Sequence, residues 1–135
     1  RDDEFEVVPG MSALNAANAL LKRETAMTSG SSTLILAAPF GARNWKGNLE
    51  SVAALRSTIV IYMGLQRLPQ IVEALSKHSS GSTPVAIVYW AGVLDRQKIL
   101  RSTLDRIVDD AAKEDRNAIG LIYVGRFLGE SFAGN

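Results

Sequence analysis

The sequence contains no cysteine and a single histidine, His78. Without cysteine the chain has no disulfide, no thiolate metal ligand and no cysteine nucleophile. One histidine also excludes a metal site built from several histidines. His78 lies in a polar loop and is interpreted as a solvated surface residue. We therefore expect no metal site and assign no catalytic residue to this chain.

An excess of charge of one sign is also lacking, because fifteen basic side chains face fourteen acidic ones. No basic run stands out, so no nucleic-acid partner is expected. No apolar stretch approaches the roughly 20 residues of a membrane-spanning helix, so no membrane partner is expected and a cytoplasmic location is predicted. Hydrophobic residues make up 47% of the chain, which is typical of a globular domain.

The chain is long enough for one compact domain, which we take to span residues 1–135. It opens on Arg1-Asp2-Asp3-Glu4, with no initiator methionine, directly before an apolar run. A charged cluster just ahead of a strand is a plausible cut point within a longer protein. We therefore expect the chain to be part of a larger protein.

Short apolar runs alternate with helical patterns. The predicted strands are Phe5–Val8, Thr33–Ala38, Thr58–Met63, Val85–Trp90 and Gly120–Phe127. The predicted helices are Ser12–Lys22, Asn48–Leu55, Arg67–Lys77 and about Arg96–Lys113. Ser12 is a candidate N-cap, and Pro69 falls in a first helical turn, where its missing N–H costs little. This order predicts an α/β fold with a five-stranded, largely parallel or mixed sheet and helices on both faces.

In an open α/β sheet, ligands bind beyond the carboxyl ends of the strands. Small residues recur at these ends, in Pro9-Gly10, Met63-Gly64 and Ala91-Gly92, and again at Gly125. Glycine and alanine let a ligand approach the backbone closely, so that main-chain groups can bind a flat heterocycle. The simpler interpretation, turn glycines without a ligand, stays open on spacing alone.

Five segments in the same order resemble the C-terminal domain of the tetrapyrrole methylase family. They are Val7–Ala13, Thr58–Leu65, Thr83–Val88, Gln97–Leu104 and Leu121–Arg126. They cover nearly the whole chain, and each is weak alone. Two departures are Ser102, where glycine is usual, and one extra residue around Trp90–Asp95.

The resemblance implies an S-adenosylmethionine-dependent C-methyltransferase acting on a precorrin or uroporphyrinogen in cobalamin or sirohaem biosynthesis. It further implies a homodimer of two-domain subunits, in which this chain supplies the C-terminal half and the N-terminal domain is absent. The methyl donor would bind in the cleft between the domains. By the same resemblance, Met63 with the adjoining Gly64, and Ala91, would bind its adenine end through the backbone. Pro9, Gly10 and Gly125 would line the cleft.

Two alternatives stay open. An RNA ribose methyltransferase of the same fold typically has glutamate where Met63 stands, which favours the tetrapyrrole branch. A non-catalytic α/β binding module is the other. Arg126 is interpreted either as a partner for a substrate carboxylate or as a solvated strand end.

Overall fold

The computed structural model describes residues 4–22, 25, 31–39, 41 and 43–129. Within these ranges the helices are α1 (Ala13–Leu21), α2 (Trp45–Ala53), α3 (Leu68–Ser76) and α4 (Ile107–Ala111). The strands are β1 (Leu34–Ala37), β2 (Thr58–Ile61), β3 (Pro84–Tyr89), β4 (Lys98–Thr103) and β5 (Gly120–Val124). Short 3₁₀ turns at Leu65–Arg67 and Arg126–Leu128 follow β2 and β5. None of the helices described here is both long and apolar enough to cross a membrane.

The five strands form one mixed sheet in the order β1-β2-β5-β3-β4. Strands β1 and β2 pair in parallel, whereas β5 is antiparallel to both β2 and β3, and β4 is antiparallel to β3. Strands β1, β2 and β3 therefore run in one direction and end at one edge of the sheet. We call this edge the carboxyl edge; β5 begins there, between the ends of β2 and β3.

Each face of the sheet is covered by helix, which confirms helices on both faces. On one face, Ala17 and Leu21 of α1 pack against alternate strand residues such as Val60, Val88 and Tyr123. On the other, α2, α3 and α4 cover the intervening residues, including Ile61, Ile87 and Ile122, which are at most 1% exposed. Central strands buried on both faces have continuous apolar sequences, which explains why β2, β3 and β5 were recognisable as strands.

Helix α1 begins where the sequence predicts. The Ser12 hydroxyl accepts a hydrogen bond from the Leu14 N–H at 3.2 Å, and the Asn15 side-chain oxygen accepts one from the Ser12 N–H at 3.2 Å. This reciprocal capping satisfies N–H groups that have no partner inside the helix. The predicted N-cap is therefore confirmed. In α3, Pro69 lies in the first turn, also as predicted.

Two predicted elements are wrong. Phe5–Val8 is not a strand; it has no regular secondary structure and no sheet partner among the described residues, and Phe5 is 84% exposed. The predicted helix Arg96–Lys113 is helical only over Ile107–Ala111, and its first part is the edge strand β4. The predicted last strand also ends earlier, at Val124.

The prediction allowed a largely parallel or a mixed sheet. The sheet is mixed and is not largely parallel. Only β1 and β2 form a parallel pair among the described strands. An antiparallel β5 inserted between β2 and β3 is what brings the start of one strand beside the ends of two others.

Candidate functional site

A cavity of about 360 Å³ opens at the carboxyl edge, on the α1 face of the sheet. The ends of β2 and β3, the start of β5 and the first residue of α1 form its wall. Its lining residues are Ala13, Tyr62, Met63, Leu65, Gln66, Val88, Trp90, Ala91, Val93, Ala118, Ile119, Gly120 and Leu121. Cavities of this size hold drug-sized ligands, commonly with a mainly apolar lining and a few polar groups that fix orientation.

Met63 stands where the chain leaves β2. Its φ of 52° is in the left-handed region, which few non-glycine residues adopt. Its side chain is 64% exposed at the cavity. The adjoining Gly64 faces the core instead, since a Cβ there would lie 2.8 Å from Ile71 and 2.9 Å from Ile61. The turn therefore puts a flexible apolar side chain on the ligand side and a glycine on the core side.

The chain leaves β3 in a similar way. Trp90 has a φ of 51°, and Gly92 has a φ of 86°. The Trp90 N–H donates to the Ile119 carbonyl at 3.0 Å, which ties this turn to the approach to β5. The Arg96 guanidinium lies 3.5 Å from the Trp90 ring centroid, a cation–π contact that fixes the indole. Two successive strand ends thus carry left-handed residues, a conformation that concentrates at ligand sites.

The main chain of Met63 and of Ala91 has hydrogen-bonding capacity to spare. Within the described part of the chain, neither residue uses its backbone N–H or C=O in a hydrogen bond. Both residues line the cavity. An N–H and a C=O presented at the ends of β2 and β3, on either side of the start of β5, are suited to a flat heterocycle such as adenine, which has both donors and acceptors on its edge.

Beneath the cavity wall, α1 is anchored to the sheet by a polar contact. The Tyr123 hydroxyl donates to Asn18 Oδ1 at 2.6 Å. Burial, and to a lesser extent the neighbouring Tyr62, raises the pKa of Tyr123 above its ordinary value. Tyr123 therefore stays a neutral hydrogen-bond donor at physiological pH and holds α1 against β5.

Among the described residues, no aspartate, glutamate, histidine, lysine or arginine lines the cavity. No group of metal-ligating side chains occurs among the described residues. What the lining provides is shape, apolar contact, main-chain hydrogen-bonding groups and the polar side chains of Tyr62 and Gln66. Such an arrangement is suited to binding and orienting a ligand.

The structure brings together only some of the predicted site residues. Met63 and Ala91 line the cavity, and Gly64 lies behind Met63 against the core. Pro9 and Gly10 belong to the exposed segment before α1 and are not among the lining residues. Gly125 lies at the opposite edge of the sheet, beside Thr58 at the start of β2, because β5 is antiparallel. The sequence analysis grouped Gly125 with the small residues at the carboxyl ends of the other strands.

Several lining residues were missed by the sequence analysis. Ala118, Ile119 and Gly120 precede and open β5, where a search of carboxyl ends alone does not look. One signal was present: Gly120 begins an apolar run, and a Cβ there would lie 2.8 Å from the Val88 carbonyl oxygen. A glycine at the start of a strand marks a close backbone approach, here against β3.

Comparison with known proteins gives a consistent result. The model of the family Tetrapyrrole (Corrin/Porphyrin) Methylases matches residues 1–108. The cobalt-precorrin-4 C(11)-methyltransferase of Methanocaldococcus jannaschii is 35% identical over 132 residues, which cover 96% of this chain and 51% of that protein. The precorrin-4 C(11)-methyltransferase of Pseudomonas aeruginosa is 36% identical over 133 residues, covering 96% and 52%. The chain thus spans about half the length of these curated relatives.

Solved structures show the same fold. A cobalt-precorrin-4 methyltransferase aligns with a TM-score of 0.82 at 24% identity, over 91% of this chain and 52% of that one. A uroporphyrin-III C-methyltransferase from Thermus thermophilus, complexed with S-adenosylhomocysteine, aligns with a TM-score of 0.72 at 19% identity, over 92% and 53%.

Proposed function

Because the chain belongs to the tetrapyrrole (corrin/porphyrin) methylase family, we propose that it is the C-terminal half of an S-adenosylmethionine-dependent C-methyltransferase. Its substrate is a tetrapyrrole of the precorrin or uroporphyrinogen type, on the route to cobalamin or sirohaem. The relatives named above carry this chemistry in their own names. The cavity at the carboxyl edge receives the adenine end of the methyl donor.

One observation carries the proposal. Met63 and Ala91 present main-chain hydrogen-bonding groups, unused within the described part of the chain, at the ends of β2 and β3, inside an apolar cavity of about 360 Å³. Apolar side chains of Met63 and Val93 border the same space and suit the faces of a flat ring. In this arrangement the adenine is bound by backbone groups at its edge and by apolar contact on its faces.

The donor, when bound, supplies a methyl group on a positively charged sulfur, which an electron-rich pyrrole carbon displaces. This chain's part is to hold the donor in place for that displacement. Correct alignment of two reactants can lower the activation free energy by roughly 7–11 kcal/mol. A lining without acidic or basic side chains is sufficient for that role.

The proposal includes three further statements about the whole protein. A separate N-terminal domain closes the cleft, since this chain spans only about half of its curated relatives. Two copies of the whole protein form a homodimer, as the family resemblance implies. The whole protein is a cytoplasmic enzyme. The C-terminal half alone is inactive because it has only one wall of the cleft.

The proposal is tested by titrating S-adenosylhomocysteine into the ¹⁵N-labelled chain and following amide shifts. We expect saturable shifts at Met63, Gly64, Ala91 and Gly92, with weak affinity because one wall of the site is missing. The variant Ala91→Phe places a large ring in the cavity and should abolish the shifts. The matched variant Ala54→Phe, at an exposed position after α2, should leave them unchanged.

Shifts confined to the opposite edge of the sheet, around Gly125, would contradict this placement of the donor. The absence of any shift, repeated with a protein that contains both domains, would contradict donor binding altogether and favour a non-catalytic module. The same titration with the two-domain protein also tests the need for the second wall. We expect the two-domain protein to bind with a Kd at least about tenfold lower than that of the C-terminal half. A tenfold lower Kd corresponds to about 1.4 kcal/mol of additional binding free energy.

A further inference from the structure

The cavity at the carboxyl edge, lined by Met63 and Ala91, is called the donor cavity below. A second cavity, of about 290 Å³, lies at the opposite edge of the sheet. We call it the Arg56–Arg126 cavity. It forms where α2 ends, where the loop of residues 77–83 joins α3 to β3, and where the chain leaves β5. It contains Gly125, Arg126 and His78, three residues that the donor site does not use.

The lining of this cavity has charge of one sign. Arg56 and Arg126 both line it, and no aspartate or glutamate among the described residues does. Neither arginine forms an ion pair with any residue in the described ranges. Two guanidinium groups without an ion-pair partner among the described residues attract an anion to this concave site, and their planar, multi-donor geometry matches phosphate oxygens.

Hydroxyl donors complete the lining. Ser80 Oγ and Ser82 Oγ lie 2.9 Å apart and share one hydrogen bond, so one of the two O–H groups remains able to donate elsewhere. Ser57 and Ser79 also line the cavity. The Thr83 N–H donates to the Ser80 carbonyl at 2.9 Å, which fixes the serine loop before any ligand binds.

A buried polar atom lies beside the wall of this cavity. Thr58 is 1% exposed, and its Oγ1 has no hydrogen-bond partner within the described part of the chain. A Cβ built on Gly125 would lie 3.5 Å from that oxygen. Gly125 also lines the cavity and has a φ of 154°, which L side chains rarely adopt. The backbone conformation at Gly125 therefore favours glycine, and the neighbouring Thr58 hydroxyl, which has no partner among the described residues, is costly to bury.

From these features we propose that the Arg56–Arg126 cavity is a binding site for a phosphate group, carried by a small phosphorylated molecule or free in solution. A tetrahedral phosphate accepts hydrogen bonds from several directions, and the arginines and serine hydroxyls surround the cavity from three separate segments. A planar carboxylate uses fewer of these donors. The site is independent of the donor cavity, so its test does not depend on methyl transfer.

The test is a titration of the ¹⁵N-labelled chain with inorganic phosphate, with glycerol 3-phosphate and, as a charge control, with malonate. We expect saturable amide shifts at residues 79–83 and at Gly125 with both phosphates, and weaker binding of malonate. Tighter binding of the ester than of inorganic phosphate identifies a phosphorylated molecule as the source. Equal binding identifies free phosphate.

The variants Arg126→Gln and Arg56→Gln should each weaken phosphate binding by about tenfold or more, because each removes a charged hydrogen-bonding partner. Arg101→Gln makes the same charge change on β4, away from this cavity, and should have no effect. The dispersion of the amide spectrum reports whether each variant is folded. Shifts that never saturate, shifts that persist in both variants, or tighter binding of malonate would each overturn the assignment.

Discussion

Gly64 follows the lining residue Met63 and faces the core, and its small size has a structural cause. A Cβ there would lie 2.8 Å from Ile71, 2.9 Å from Ile61 and 3.0 Å from Ile122, all of which are at most 1% exposed. We expect Gly64→Ala to lower the free energy of unfolding by about 1–3 kcal/mol, the usual cost of overpacking. Urea unfolding followed by circular dichroism measures the change.

Gly10→Ala is the matched control for that substitution. A Cβ at Gly10 meets nothing within 4 Å, so the variant should unfold at nearly the same urea concentration as the original chain. Equal stability of the two variants would show that the packing behind Met63 is looser than the structure has it.

The Tyr89 hydroxyl should make the free energy of unfolding depend on pH in the alkaline range. Burial, and secondarily the Glu114 carboxylate, raises the pKa of Tyr89 to about 12. The pKa of a tyrosine in an unfolded chain is about 10. A raised pKa in the folded state means that the stabilisation is fully present below pH 10 and is lost as pH rises towards 12. In Tyr89→Phe this part of the pH dependence should disappear.

The measurement is the free energy of unfolding by urea at several pH values from about 9 to about 12. The original chain should lose stability more steeply over this range than Tyr89→Phe. Subtracting the two curves removes the contribution of lysines and of the other tyrosines. Parallel curves would show that the Tyr89 hydroxyl ionises equally in the folded and unfolded states.

At the scale of single elements, β4 and α4 are joined by one polar contact. The Ser102 hydroxyl donates to Asp110 Oδ2 at 2.6 Å. This hydrogen bond, with smaller contributions from Arg106 and Lys113, lowers the pKa of the Asp110 carboxyl. A lowered pKa stabilises the fold above the ordinary pKa of aspartate, and that stabilisation is lost as pH falls through the lowered value.

We therefore expect Ser102→Ala to raise the pKa of Asp110 towards its ordinary value and to make the chain less stable at neutral pH. Side-chain carboxyl carbon shifts recorded against pH measure this pKa directly. Ser51→Ala is the control, since the Ser51 hydroxyl donates to the Gly47 carbonyl within α2. An unchanged Asp110 pKa in Ser102→Ala would show that the neighbouring cations alone set it.

The contact between β4 and α4 also explains why one helix was predicted wrongly. In Arg96–Lys113 the apolar residues recur at a helical period across the junction of a real strand and a real helix. Ile99 and Leu100 pack on opposite faces of the sheet. Two consecutive apolar residues also fit within the apolar face of a helix, so the sequence pattern did not distinguish strand from helix here. Their assignment depends on pairing with β3, and no local pattern contains that information.

The elements predicted well are those whose burial is nearly complete. The strand predictions near β2 and β3 are right to within two residues at each end, because these strands are buried on both faces. Phe5–Val8 has a similar composition but no partner in the described sheet, so composition alone was misleading. Strand direction is equally hidden in the sequence. The structure brings Met63 and Ala91 to one edge of the sheet and Gly125 to the opposite edge, because β5 is antiparallel to β2 and β3.

At the scale of the whole molecule, exposed apolar side chains gather at the mouth of the donor cavity. Met63, Val93 and Ile119 are 64%, 40% and 60% exposed and line that cavity. Met11, two residues before the lining residue Ala13, is 74% exposed. An apolar surface of this kind beside a ligand site commonly marks a surface that a protein partner covers.

If a second domain covers this surface in the whole protein, the chain by itself should associate through it at high concentration. Sedimentation velocity over a range of concentrations measures that association. We expect Met63→Lys and Ile119→Lys to shift the chain towards monomer. Association would bury the lysine ammonium group in the contact, and the loss of its hydration costs free energy. Leu55→Lys is the matched control: Leu55 is 66% exposed at the end of α2, outside this cavity, and its replacement should leave association unchanged. A chain that stays monomeric at every concentration, or an equal effect of all three substitutions, would show that the mouth of the donor cavity is not the surface through which two halves meet.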